Sequence, residues 1–143
     1  MPNAQRTISI STTPEKAFAF FADPANDKRW RPAVKEIAAS GPARVGGQIH
    51  QVVEGPGGRG IAADIEITAY EPPTRYAFKV VAGPARPEGE FRITPTAGGV
   101  DVSFSLKAEL GGLKKFLLGG PVQNSMNSEM AALDTAKRLL EGS

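Results

Sequence analysis

From residue 61 to residue 107 apolar and polar side chains alternate with a period of two. This is the pattern of strands with one dry and one wet face. Ile61, Ala63, Ile65 and Ile67 share one side of the segment 61–71, with Asp64 and Glu66 on the other. The segment 74–83 puts Tyr76, Phe78 and Val80 on the apolar side and Lys79 opposite. "EFRITPT" and 100–110 continue the dry face with Phe91, Ile93, Val100, Val102, Phe104 and Leu106. Glu90, Arg92, Asp101, Ser103, Ser105 and Lys107 continue the wet one. A tight turn centred on Pro72-Pro73 sets Ile67 opposite Phe78, Ile65 opposite Val80 and Glu66 opposite Lys79, the last an attractive cross-strand pair. Gly98-Gly99 makes the next turn. Three earlier strands are expected at "RTISIS" (6–11), "AVKEIAAS" (33–40) and "GGQIHQVVEG" (46–55).

The period changes in two places. In "STTPEKAFAFFADP" Thr13 suits an N-cap, Pro14 the first helical position and Glu15 the first turn. Phe18 and Phe21 share an apolar face with Ala17 and Ala22 alongside. Pro24 ends this helix, because a residue preceding proline avoids the helical region. "ANDKRW" has room for one more turn. It carries the only tryptophan, Trp30, in a charged break between Pro24 and Pro32. At the other end, 112–141 reads as a long helix broken near Gly119-Gly120-Pro121. Its apolar stripe is Val122, Met126, Met130 and Leu133, with Leu140 beyond. Strands bracketed by helices predict an α+β fold: a strongly curved antiparallel sheet with the terminal helix across its concave face.

The 143 residues suit a single domain, 1–143, with one sizeable core. A net charge of +2, both signs being spread along the chain, makes no basic stripe for nucleic acid. With no cysteine there is no disulfide, no thiolate nucleophile and no cysteine metal site. "MPNAQRTISIS" lacks the apolar run of a signal peptide, and no segment is apolar enough to span a bilayer. A cytoplasmic protein without stable membrane insertion is expected.

The stretches "ISISTTPEKAFAFFADPANDKRW", "AYEPPTRYAF" and "ITPTAGGVDVSFSLK", with the terminal helix, resemble the START-like (helix-grip, birch-pollen-allergen-like) superfamily. Within it, they resemble the polyketide cyclase/dehydrase-like branch. The resemblance covers nearly the whole chain. It implies two short helices after the first strand and a deep cavity between sheet and terminal helix that takes a small apolar or amphipathic molecule. It implies no cofactor. Its members include carriers, cyclases and dehydratases, so fold alone does not choose the chemistry.

The dry face of the strands supplies few groups for chemistry. Gln51 and Tyr76 are its polar members, and no carboxylate pair is counted on it. The expected cavity wall is Val53, Ile65, Phe78, Phe91, Phe104, Met126 and Met130. The two methionines serve equally as core or as a wall that adapts to varied ligands. Trp30 reads either as a plug on the open end of the sheet or as a ring at the cavity entrance. His50 is the only histidine. The register turns it outward; a slip of one residue would turn it inward as a general base. A lone histidine makes no metal site. "GPGGRG" is a hairpin tip and lacks the order of a phosphate loop. "LKKFLLGGP", with Leu113, Phe116, Leu117 and Leu118, reads as helix docking on the sheet or as a membrane-touching segment with a hinge behind it. Two functions follow. One is binding or carriage of a small apolar ligand; the other is a cyclase or dehydratase acting on an aromatic or polyketide-like substrate.

Overall fold

The structure, a computed structural model, describes residues 2–83 and 85–142, and all their side chains except those of Pro56, Lys115 and Phe116. The expected role of the Phe116 side chain therefore lies outside the described residues. In chain order the elements are β1 (Asn3–Ile10), α1 (Pro14–Ala22), α2 (Asp27–Trp30), β2 (Val34–Ala39), β3 (Gln48–Glu54), β4 (Gly60–Ala62), β5 (Ile65–Glu71), β6 (Arg75–Val80), β7 (Glu88–Thr96), β8 (Gly99–Lys107) and α3 (Gly112–Glu141). The sheet runs β1-β8-β7-β6-β5-β3-β2, with β4 also on β3. Every pairing is antiparallel. This is the α+β helix grip: a curled sheet closed over a long C-terminal helix.

The turn chemistry sets the local structure. Thr13 accepts a hydrogen bond from the Lys16 amide and Pro14 opens α1. The pairs Ile67–Phe78, Glu66–Lys79 and Ile65–Val80 form as the pattern predicts, and Lys79 lies on the wet face. Nearer the turn the register moves by one, with Tyr70 opposite Tyr76 and Glu71 opposite Arg75. The loop thus has three residues, and a bulge at Thr68 takes up the extra one. That bulge turns Tyr70, an outer-face residue by strict alternation, onto the inner side, where its ring stands 5.3 Å from Phe18.

Two expectations are corrected. The single strand 61–71 is two strands, β4 and β5, on either side of Ala63-Asp64. The register is the same on both sides, with Val52 opposite Ala62 and Ile49 opposite Ile65. At the break the Asp64 carboxylate accepts from the Gln51 amide at 3.4 Å and lies 2.8 Å from His50 Nδ1. A side chain thus takes a donor that a strand would have used. The second correction concerns α3, which is one helix with Pro121 inside it and no break. Gly120 has no Cβ to collide with the proline ring, so the helical conformation stays open to it.

The core lies under the C-terminal half of α3. Leu133 and Ala136 have no exposed surface, and Ile10, Val100 and Val102 face them as fully buried residues. Beside them is an aromatic stack. Phe91 and Phe104 lie parallel at 4.2 Å, and Phe21 stacks on Phe91 at 4.8 Å. Trp30 meets Phe21 edge-on at 5.5 Å. Toward the N-terminus of α3 the packing opens, and Leu113 and Leu117 are exposed.

Candidate functional site

Pro32 restricts the residue before it, so α2 stops at Trp30 and Arg31 takes an extended backbone with φ −109° and ψ 97°. The Arg31 side chain then reaches two carboxylates. Its Nη1 donates to Asp27 Oδ2 at 2.9 Å, four residues back. Its Nε donates to Glu129 Oε2 at 2.6 Å, across on α3. Nη1 also donates to Gln51 Oε1 on β3 at 3.2 Å. All three charged side chains are 12–14% exposed.

Burial governs the electrostatics here. It pushes the Asp27 carboxyl from its ordinary 3.8 up to about 6, against the pull of Arg31 and with a smaller push from Glu129. Burial also works against the Arg31 charge, but Glu129 and Asp27 together hold the guanidinium above its ordinary value. The Tyr76 phenol is pushed well up, first by burial and then by Asp27 and Tyr70, so it remains a neutral donor.

Two cavities meet at this cluster. The larger is a cleft of about 690 Å³ between the N-terminal half of α3 and the strands β3, β4 and β6. Val53, Ile61, Ala63, Phe78, Val80, Leu106, Val122 and Met126 wall it, and Arg31, Gln51 and Glu129 also line it. The smaller, of about 30 Å³, lies behind the cluster and is lined by Asp27, Trp30, Arg31, Ile65, Tyr76, Phe91, Phe104 and Glu129, among others. Phe78, like Arg31 and Glu129, borders both. The Phe78 ring lies where a Cβ on the facing Gly89 would overlap it, so any larger residue at 89 would force the ring to move.

The residues expected to form one wall are thus divided. Gln51, Val53, Phe78 and Met126 line the cleft. Trp30, Ile65, Tyr76, Phe91 and Phe104 line the small cavity within the aromatic core. Met130 lines neither; it is buried, and its backbone oxygen accepts from Arg6 on β1. His50 faces outward against Asp64, its side chain 56% exposed. The count of inward carboxylates is corrected as well. It took in the strands alone, whereas Asp27 and Glu129 enter from helices. Both left a signal. Asp27 precedes Arg31 by one helical turn, and Glu129 interrupts the apolar series Val122, Met126, Leu133, Ala136, Leu140 at a three-and-four spacing.

Residues 1–141 match the family described as polyketide cyclase/dehydrase and lipid transport. The chain belongs to this family. Uncharacterized proteins of Mycobacterium tuberculosis (strain H37Rv) and Mycobacterium bovis are each 30% identical to it over 112 residues, 76% of this chain. The match spans 66% of those relatives' own length. Among solved structures, TTHA0849 from Thermus thermophilus superposes with a TM-score of 0.81 at 19% identity, covering 99% of this chain and 98% of that one. The di-domain ARO/CYC StfQ from the steffimycin biosynthetic pathway gives 0.80 at 14% identity, over 98% of this chain and 51% of StfQ. A START superfamily protein from Mycobacterium smegmatis gives 0.72 at 14% identity, over 98% and 97%. These likenesses establish the shared helix-grip fold.

Proposed function

We propose that this protein binds a small apolar or amphipathic molecule in the cleft under the N-terminal half of α3. The observation that carries this reading is the combination of apolar walls with a polar floor in a space of about 690 Å³. Sites for organic molecules are typically of this size, mostly apolar, with a few fixed polar groups that orient the guest. Burial of the guest supplies affinity at about 25 cal/mol per Å² of apolar surface, less the cost of association. N-phenyl-1-naphthylamine, a neutral fluorescent probe, tests the reading. Saturable binding to one site is expected, weakened at least tenfold by Val53→Trp, which fills the cleft, and unchanged by His50→Gln. Absence of saturable binding, or binding indifferent to Val53→Trp, contradicts it.

A specific observation also favours a second reading, acid–base catalysis of the cyclase or dehydratase kind on an aromatic or polyketide-like substrate. A carboxyl raised to about 6 is poised to exchange a proton near neutral pH. In that case the acid–base group is Asp27, which lines the small cavity behind the cluster and reaches the cleft only past Arg31 and Glu129, rather than His50 on the outer face. Turnover of such a substrate that vanishes in Asp27→Asn, while probe binding is kept, would decide for the enzyme. Turnover lost in His50→Gln alone would decide against this site.

A further inference from the structure

The floor of the cleft has hydrogen-bond donors to spare. Arg31 uses Nε and Nη1 on Glu129, Asp27 and Gln51, and its Nη2 has no partner among the described residues. Gln51 is only 3% exposed and is the one buried polar residue among those described. A guanidinium cannot accept, so the Gln51 oxygen must face Arg31, which turns the amide nitrogen away. That nitrogen also has no partner among the described residues. Neither nitrogen is sealed from space, and both side chains line the cleft. The floor therefore offers N–H groups that, once a guest displaces water from the cleft, need an acceptor on that guest. The charge count limits that acceptor. Arg31 carries +1 and its two ionised carboxylates −2, so the cluster totals −1. The second Glu129 oxygen, also without a partner among the described residues, adds local repulsion to an incoming anion.

We infer that the ligand is an apolar molecule bearing a neutral carbonyl oxygen (a ketone, ester or amide), which accepts from Arg31 Nη2 and Gln51 Nε2 at the cleft floor. This rests on the binding reading above and names the chemistry of the guest. A buried site with unmet donors rejects a guest that lacks the acceptor, because the donors then stay dry and unpaired.

Three naphthalene probes of nearly one shape test it by isothermal titration at pH 7.5: 2-acetylnaphthalene, its hydrocarbon isostere 2-isopropenylnaphthalene, and 2-naphthoate. The ketone is expected to bind at least tenfold tighter than the hydrocarbon, and the carboxylate more weakly than the ketone. In Gln51→Leu the preference for ketone over hydrocarbon should fall below about threefold, chiefly because the hydrocarbon no longer strands the amide donor and binds more tightly. The ranking in the wild-type protein needs no variant, so it decides even if Gln51→Leu misfolds. Equal binding of ketone and hydrocarbon overturns the inference and leaves the binding reading standing. Tightest binding of 2-naphthoate overturns the neutral carbonyl. Failure of all three to bind overturns the binding reading itself.

Discussion

The two halves of α3 cover the same sheet and behave oppositely. In the second half, Ala132, Leu133 and Ala136 are buried in one core with Ile8 and Ile10 of β1 and Val100 and Val102 of β8. In the first half Leu113 and Leu117 point to solvent. Beneath this half the sheet is interrupted at Ala63-Asp64 and ends in a glycine-rich tip. The closed half is packed as interiors are, without room for a guest. The open half leaves a cleft because neither helix nor sheet supplies the side chains to fill it. The Asp27–Arg31–Glu129 cluster sits at the boundary, where the chain is dry enough to need every charge paired. On the proposed reading, the closed half supplies stability and the open half the binding site.

The largest expected effect lies on the closed side. Trp30→Ala should cost about 3–5 kcal/mol, the range for a large aromatic removed from a core, because its indole is 2% exposed among Phe21, Phe91 and Phe104. Urea melts followed by circular dichroism check this. Near-wild-type stability with lost probe binding would instead make Trp30 a gate and blur the division.

At the boundary, Arg31→Met should cost about 2–4 kcal/mol at pH 7, since it leaves two partly buried carboxylates without a counter-charge. The same melts should show part of that loss recovered at pH 5, where Asp27 takes up a proton.

Asp27→Asn sharpens the point. The folded carboxyl titrates near 6 and the free one near 3.8, so between these values the folded state holds more protons than the unfolded state. Its contribution to stability is therefore greatest below about pH 4 and falls by up to about 3 kcal/mol as pH rises through 6. Stability curves for wild type and Asp27→Asn should differ in slope across this window. The variant should be the flatter, and at pH 7 no less stable than wild type. A steeper fall in the variant contradicts the burial of Asp27.

Much of the fold was legible because strand alternation and turn residues act locally. The Ile67–Phe78 and Glu66–Lys79 pairs follow from period-two patterning and a proline turn, and α1 from Thr13 and Pro14. Thr68 was not legible, because a bulge shows no turn residue and two compensating shifts leave the distant pairs in place. The split at Ala63-Asp64 depends on a carboxylate capturing a neighbouring strand's amide, a contact between segments that periodicity does not see. The cluster was the costliest omission. Trp30 stands out in its segment as the only tryptophan, whereas the buried charges are those of Asp27 and Arg31 beside it. Glu129 becomes informative only when the α3 stripe is taken as Val122, Met126, Glu129, Leu133 rather than through Met130.

On the open side the expected effect is the smallest. Val122→Ala, half-buried at the cleft wall, should change stability by less than about 1 kcal/mol while weakening probe binding by about threefold to tenfold. A loss as large as that of Trp30→Ala would mean that the first half of α3 is core after all.

The division itself has a direct readout in the methionines. The chain has three, Met1, Met126 and Met130, and the last two sit on opposite sides of the boundary. A titration of methyl-¹³C-methionine-labelled protein with 2-acetylnaphthalene reports both in one spectrum. The account predicts a saturable shift of the Met126 methyl signal, with Met130 nearly still. A shift led by Met130, or a saturated probe that leaves Met126 unmoved, would place the guest elsewhere and contradict it.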